Sequence, residues 1–277
     1  MPLSTHASTL RFIGSLVIGI GIFALVMVIT GTHISHDPEV PTLDSSEEAR
    51  QELAVHAQQI ADMSDGNMHS TATEWVSALG GVWVPWPQGA PEGQANPQLP
   101  TASYSMLPAA LSSFANEALT SSAGPTAVAI GISAYTQSVS SAEKCGTYDL
   151  LTVGRALSND AAVENIEIAR QWLEIPASHM QIGQRDLPLA RIALLSTLLD
   201  AQIASGGSDT RPALAPPPSH DPLTDSYDVL TQQLSLAAQQ APATDRQHIA
   251  SFVCHLYHDY PDAPPIAALP GLVRSSS

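Results

Sequence analysis

Ten histidines, 26 acidic residues, two cysteines and a single lysine set the chemistry open to this 277-residue chain. The densest group lies near the C-terminus: His248, Cys254, His255 and His258, with Asp259 and Asp262 beside them. His255 and His258 are three apart and could reach one metal ion from a helix. With Ile249 at zero and about 100° per residue, the apolar face centres near ~10°, His255 falls near ~240° and His258 near ~180°. That places both on the side away from the apolar face, so no native metal is expected there. A second pair, His33 and His36 with Asp37 and Glu39, suits an outer-surface metal or a proton relay, though a solvated stalk explains it more simply.

Other constellations fail on spacing. A di-iron helical bundle needs Glu-x-x-His pairs. Glu52 and His56 are four apart, and Glu164 with Glu167 reads as a solvated helix face. Ser141 and Lys144 give S-x-x-K, but the partner K-T-G triplet is impossible because Lys144 is the only lysine. Gly131-Ile132-Ser133-Ala134-Tyr135 lacks the second glycine of a nucleophile elbow, and neither H-E-x-x-H nor a phosphate loop occurs. No catalytic set survives, so the expectation is a protein that is not an enzyme and carries no cofactor.

Cys145 and Cys254 are the two cysteines. Outside the cytoplasm they suggest one disulfide; two free thiols or a redox pair are the alternatives, and a redox pair usually takes the absent C-x-x-C form. The most unusual element is Trp83-Val84-Pro85-Trp86-Pro87. Tryptophans on a stiff extended segment make low-entropy anchors, which either dock a partner or pack on their own domain. Trp83, Pro85 and Trp86 are therefore candidate partner-binding residues.

These residues must be positioned by the elements around them. Phe12 to Ile29 is an uncharged run of 18 residues. At about 1.5 Å per residue it spans about 27 Å, enough for a bilayer core. Arg11 and the N-terminal amine precede it and no acid does, so the N-terminus is expected on the cytoplasmic side. A cleaved signal peptide is the competing reading, but the run is long for one and no good cleavage site follows. Gly14 and Gly21 share a face, and Ser15 and Gly19 form a small-xxx-small pair, so these four are candidate contacts with a membrane helix.

Beyond Gly31 nine basic residues face 26 acids, a balance of −17. Nucleic acid is an unsuitable partner for such a surface. Residues 31–45 read as a polar stalk. Ser45 or Ser46 caps the first helix, with Glu47 and Glu48 in its first turn and Leu53, Ala57, Ile60 and Ala61 as its stripe. A second helix runs through Trp75 to Gly80-Gly81. Residues 82–108 are proline-rich and extended. A helix follows Leu107-Pro108 and breaks at Gly124-Pro125. The stretch TAVAIGISAYTQSV is ambiguous, with helix marginally favoured over strand.

Val163, Ile166, Ala169, Arg170 and Leu173 define a helix that Pro176 ends. Leu187 to Ile203, apolar on most faces, is expected to be the central buried helix. Gly206 to Pro222 is a linker. Tyr227, Leu230, Leu234 and Ala237 mark one more helix, and Ile249, Phe252, Val253, Leu256, Tyr257 and Tyr260 the last. The tail after Pro261 is expected to be mobile or draped on the surface. The fold class is all-α: residues 1–11 a cytoplasmic tail, 12–30 a transmembrane anchor, 31–45 a stalk, 46–260 an extracytoplasmic helical bundle, and 261–277 a Pro-rich tail.

Leu79 to Gly93, LGGVWVPWPQGAPEG, behind an N-terminal apolar run, resembles uncharacterised single-span envelope proteins of corynebacteria and related actinobacteria. The resemblance covers those 15 residues and brings no site residue with it. It implies a cell-envelope home. Some proteins of that kind are accessory subunits of the cytochrome bc–cytochrome oxidase supercomplex, which makes the respiratory chain one named candidate. The expectation is thus a non-enzymatic accessory or scaffold subunit, held in the bacterial plasma membrane by one span and partnered by an integral membrane protein complex. The alternative is an extracytoplasmic binding protein or enzyme with a metal or small-molecule site.

Overall fold

The protein is described here from a computed structural model. The structure describes residues 43–86, 89, 95–96, 106–157, 159–210 and 216–272. The anchor with Gly14, Ser15, Gly19 and Gly21, the stalk histidines His33 and His36, and Pro87 lie outside the described residues.

Among the described residues there are nine α-helices and no strand. They are α1 (Ser45–Met63), α2 (Gly66–Ala78), α3 (Leu107–Thr120), α4 (Pro125–Ser138), α5 (Leu150–Ala156), α6 (Asp160–His179), α7 (Asp186–Ala204), α8 (Pro222–Gln240) and α9 (Ala243–His258). The cap of α1 is one residue earlier than the serines predict. Asp44 accepts from the backbone N–H of Ser46 at 3.0 Å and of Glu47 at 2.9 Å. A carboxylate there answers two orphan donors and also the helix dipole, which a serine hydroxyl does less well. Asp149, Asn159 and Asp221 cap α5, α6 and α8 in the same way.

Two apolar cores share α4. Leu53, Ile60, Trp75, Phe114 and Ile130 belong to the first, built from α1 to α4. Val128, Ile132, Ile166, Leu195, Leu230 and Phe252 belong to the second, built from α4 to α9. Ala127 through Ala134 and Thr136 are all buried, so α4 is the central helix. Its ambiguous sequence has a physical cause: a helix covered on every face keeps no polar stripe to mark its period. Gly131 lets α3 come close, since an added Cβ would lie 3.0 Å from the backbone nitrogen of Leu119.

The expectation that Leu187 to Ile203 is central is corrected. Only Arg191, Leu195, Leu198, Leu199, Ala201 and Gln202 of α7 are buried. α7 lies at the edge, packed on α5 and α6. The helix is long and apolar enough to cross a membrane by length and composition, with a third of its best window buried in the bundle. Pro176 also fails to end α6, which continues to His179. The proline sits in the last turn, where its fixed φ suits a helix and the missing N–H costs one bond.

The tail is docked as far as the described residues reach. Ala268 is buried, and its carbonyl accepts from Trp75 Nε1 at 2.9 Å. Ala267 O accepts from Ser133 Oγ at 2.9 Å. Residues 259–272 therefore strap the two cores together.

Candidate functional site

Cys145 and Cys254 form a disulfide with Cα atoms 5.5 Å apart and a sequence separation of 109. Cys145 follows the short 3-10 turn Ala142–Lys144, and Cys254 sits on the buried side of α9. In that turn the Lys144 ammonium donates to Ser140 Oγ at 3.2 Å, one residue before the Ser141 of the S-x-x-K spacing.

His255 and His258 flank this bridge on the next turn of α9, on the side away from its apolar stripe, but they are half-buried there. His255 Nε2 donates to the Gly146 carbonyl at 3.0 Å, and its Nδ1 faces Asp259 Oδ2 at 3.1 Å. The ring also meets Tyr148 edge-on at 5.1 Å. His258 Nε2 donates to the Thr136 carbonyl at 2.9 Å. The far flank of α9 is thus covered by the loop after Cys145 and by the end of α4, neither of which its own periodicity reveals. Both nitrogens of His255 are engaged, so the two histidines do not converge on one ion in this arrangement. A ring nitrogen of His258 lies within 4.8 Å of both sulfurs. Those sulfurs are spent on each other, and metal binding needs thiolates.

His258 instead looks onto a cleft of about 470 Å³, lined by Met68, Leu107, Leu111, Tyr257, His258 and Ile266 among others. Thr136 and Gln137 add polar atoms at its wall. With Nε2 donating to a carbonyl, Nδ1 of the neutral ring is an acceptor. Tyr257 OH is 2.9 Å from Thr231 Oγ1, which itself donates to the Tyr227 carbonyl at 2.7 Å. The phenol proton is therefore directed at Thr231. Burial pushes the Tyr257 hydroxyl well above the ordinary tyrosine range, so it stays neutral. An apolar cleft with a few polar groups suits a small apolar molecule with a hydrogen-bonding head.

The tryptophan–proline segment is fastened at its backbone. Trp83 N–H donates to Gln51 Oε1 at 2.7 Å. Trp86 exchanges two bonds with Asn96, its N–H to Oδ1 at 3.0 Å and its carbonyl from Nδ2 at 3.2 Å. Trp83, Pro85 and Trp86 are half-buried, and Val84 is exposed.

A further surface escaped the sequence reading. Ile182 is 85% exposed, and Leu187 and Leu189 are about half exposed at 50% and 52%. Ala190, Ala193 and Thr197 of α7 are exposed as well. Between Asp186 and Asp200 the only charged residue is Arg191, and it is buried. The signal available in sequence was the absence of charge, which reads equally as a core helix.

Glu167 was expected on a solvated face and is buried. Arg170 binds both its oxygens at 2.8 Å and reaches Glu174 at 2.7 Å, which makes it a structural ion pair. No family model, curated protein or solved structure matches the chain.

Proposed function

We propose that the protein is a non-enzymatic accessory subunit of an integral membrane protein complex, anchored by residues 12–30 with its helical domain outside the bacterial plasma membrane. The respiratory supercomplex is one named candidate. The observation that carries this reading is the exposed stretch of α7 between Asp186 and Asp200, where Leu187, Leu189, Ala190, Ala193 and Thr197 carry no charge, with exposed Ile182 just ahead of the helix, on an otherwise strongly acidic chain. Exposed apolar residues bounded by charge suit a protein contact site. The net charge of the outer region disfavours anionic headgroups, so a protein partner suits it better than a lipid surface. Gly14, Ser15, Gly19 and Gly21 supply the membrane contact in this reading, and Trp83, Pro85 and Trp86 a second outer contact.

The test is a tagged pull-down from native membranes in mild detergent, read by mass spectrometry. A stoichiometric membrane complex that is lost in Leu187→Asp/Leu189→Asp supports the reading. A protein that comes out alone overturns it. The cleft beside His258 favours a second reading, an extracytoplasmic binding protein for a small apolar molecule. Native mass spectrometry of the purified chain, showing a bound apolar compound released by Leu111→Trp, would favour that one.

A further inference from the structure

Glu52 and His56 are one helical turn apart on α1, so their side chains lie along the same face. α3 packs on α1 and brings Glu117 to that face, 61 residues away in sequence. His56 Nδ1 lies 2.7 Å from Glu117 Oε2. One donor atom from each of Glu52, His56 and Glu117 falls within 4.8 Å of the others. His56 is 7% exposed, Glu117 is half-buried, and Glu52 is exposed.

We propose that Glu52, His56 and Glu117 form a three-ligand site for a borderline divalent cation, zinc above all. The donor set has one imidazole nitrogen and two carboxylates, which suits zinc better than calcium or magnesium, whose ligands are oxygens. Two carboxylates around one neutral imidazole leave negative charge for the cation to neutralise. Zinc–ligand bonds of about 2.0–2.2 Å require donors roughly 3–3.5 Å apart. His56 Nδ1 and Glu117 Oε2 stand 2.7 Å apart, so they open by roughly 0.5 Å when the metal takes the place of the proton between them, and Glu52, whose exposed side chain has rotamers to spend, closes onto the ion. Loading replaces the proton on Nδ1 with the metal: from the imidazolium that proton leaves to solvent, and the bound ring is neutral with its remaining proton on Nε2. Three protein ligands leave a fourth position for water on the exposed side, and the ion links α1 to α3 across the first core. The sequence screen missed the set because it asked for Glu-x-x-His, whereas a four-residue spacing also shares a helix face.

The test uses the full chain in detergent, stripped with chelator and reloaded with zinc alone, the bound metal being counted after gel filtration. The expected result is one zinc per chain that raises the melting temperature. Glu52→Gln should weaken binding by tenfold or more and abolish that rise. Its own metal-free melting at about pH 9, where His56 has lost its proton, should match the parent, because Glu52 is exposed and supports no packing. Glu117→Gln should lose zinc as well, and His255→Gln should keep it. Cobalt(II) should give a visible d–d spectrum that Glu52→Gln abolishes. Parent chain without bound zinc, or Glu52→Gln binding zinc like the parent, overturns the proposal.

Discussion

Arg191 and Asp262 form an ion pair in which one guanidinium nitrogen, Nη2, reaches both carboxylate oxygens, at 2.6 and 2.8 Å. Arg191 is 1% exposed although it belongs to the edge helix α7. Its guanidinium lies 5.4 Å from the centre of the Tyr227 ring and 4.5 Å from that of Tyr260, and Nη1 donates to Tyr227 OH at 3.2 Å. Tyr227 OH in turn donates to the Leu256 carbonyl at 2.8 Å. One cation thus joins α7, α8, the end of α9 and the start of the tail.

Asp262→Asn should be among the more damaging single changes at the surface. It leaves a buried guanidinium without its counter-charge, and breaking a fully buried pair costs about 3–5 kcal/mol. Asp262 is partly wet, with 39% of its side chain exposed. A loss of about 2–3 kcal/mol is therefore expected in urea unfolding. Limited proteolysis after residue 258 should speed up in parallel. Unchanged stability and an unchanged cleavage rate would show that the tail is held without this pair.

The disulfide gives a second prediction. Cross-linking 109 residues removes much of the unfolded chain's freedom. The double variant Cys145→Ser/Cys254→Ser should lose about 2–4 kcal/mol. For a domain of this size that is roughly a 5–15 °C fall in Tm. The parent chain should show the same fall under strong reductant, and the double variant should not respond to reductant at all. A reductant effect of equal size in both would place the cause elsewhere.

Much of the helical layout was legible because several helices have one wet face. In α9, Ile249, Phe252, Val253 and Leu256 recur at helical spacing, and all are buried. α4 and α7 were confused because composition counts apolar residues without saying which faces are covered. Ala190, Ala193 and Thr197 are small and uncharged, and they suit an exposed or a buried side equally. The docking of the tail was illegible for another reason. Trp75 meets Ala268 across 193 residues and Ser133 meets Ala267 across 134. Such contacts leave no local pattern, since nothing in Pro-Pro-Ile-Ala-Ala-Leu-Pro encodes its receptor. The cluster of Glu52, His56 and Glu117 was half visible, with its α1 pair noted and its α3 member beyond reach.

Gly154 tests the approach of α5 to α7. A Cβ there would lie 2.7 Å from the backbone nitrogen of Gln202 and 2.8 Å from the carbonyl carbon of Ala201. Both obstacles are main chain, so a rotamer change cannot relieve them. Gly154→Ala should cost about 1–3 kcal/mol despite its better helix propensity. The substitution should also alter exposure of the α7 face, read as increased binding of a hydrophobic dye. A stabilised Gly154→Ala would mean the two helices slide apart freely.

The His56–Glu117 pair makes stability depend on pH in a direction set by its chemistry. The hydrogen bond to Glu117 raises the His56 pKa above its ordinary value of 6.5, burial opposes this, and the charges of Glu117 and Glu52 reinforce it. The fold therefore holds the proton more tightly than the unfolded chain does. Its contribution is complete below pH 6.5 and is lost as the pH climbs through the raised value. His56→Gln should remove this slope. Urea midpoints of parent and variant, taken from pH 5.5 to about 9 with chelator present to exclude metal linkage, should differ most at the acid end and converge with rising pH. A gap that stays constant, or widens toward alkaline pH, would mean that His56 is held in its neutral form and that Glu117 only accepts a proton-neutral hydrogen bond. The same series with zinc present should tilt the other way, because the ion competes with the proton for Nδ1 and binds more tightly as that proton is lost.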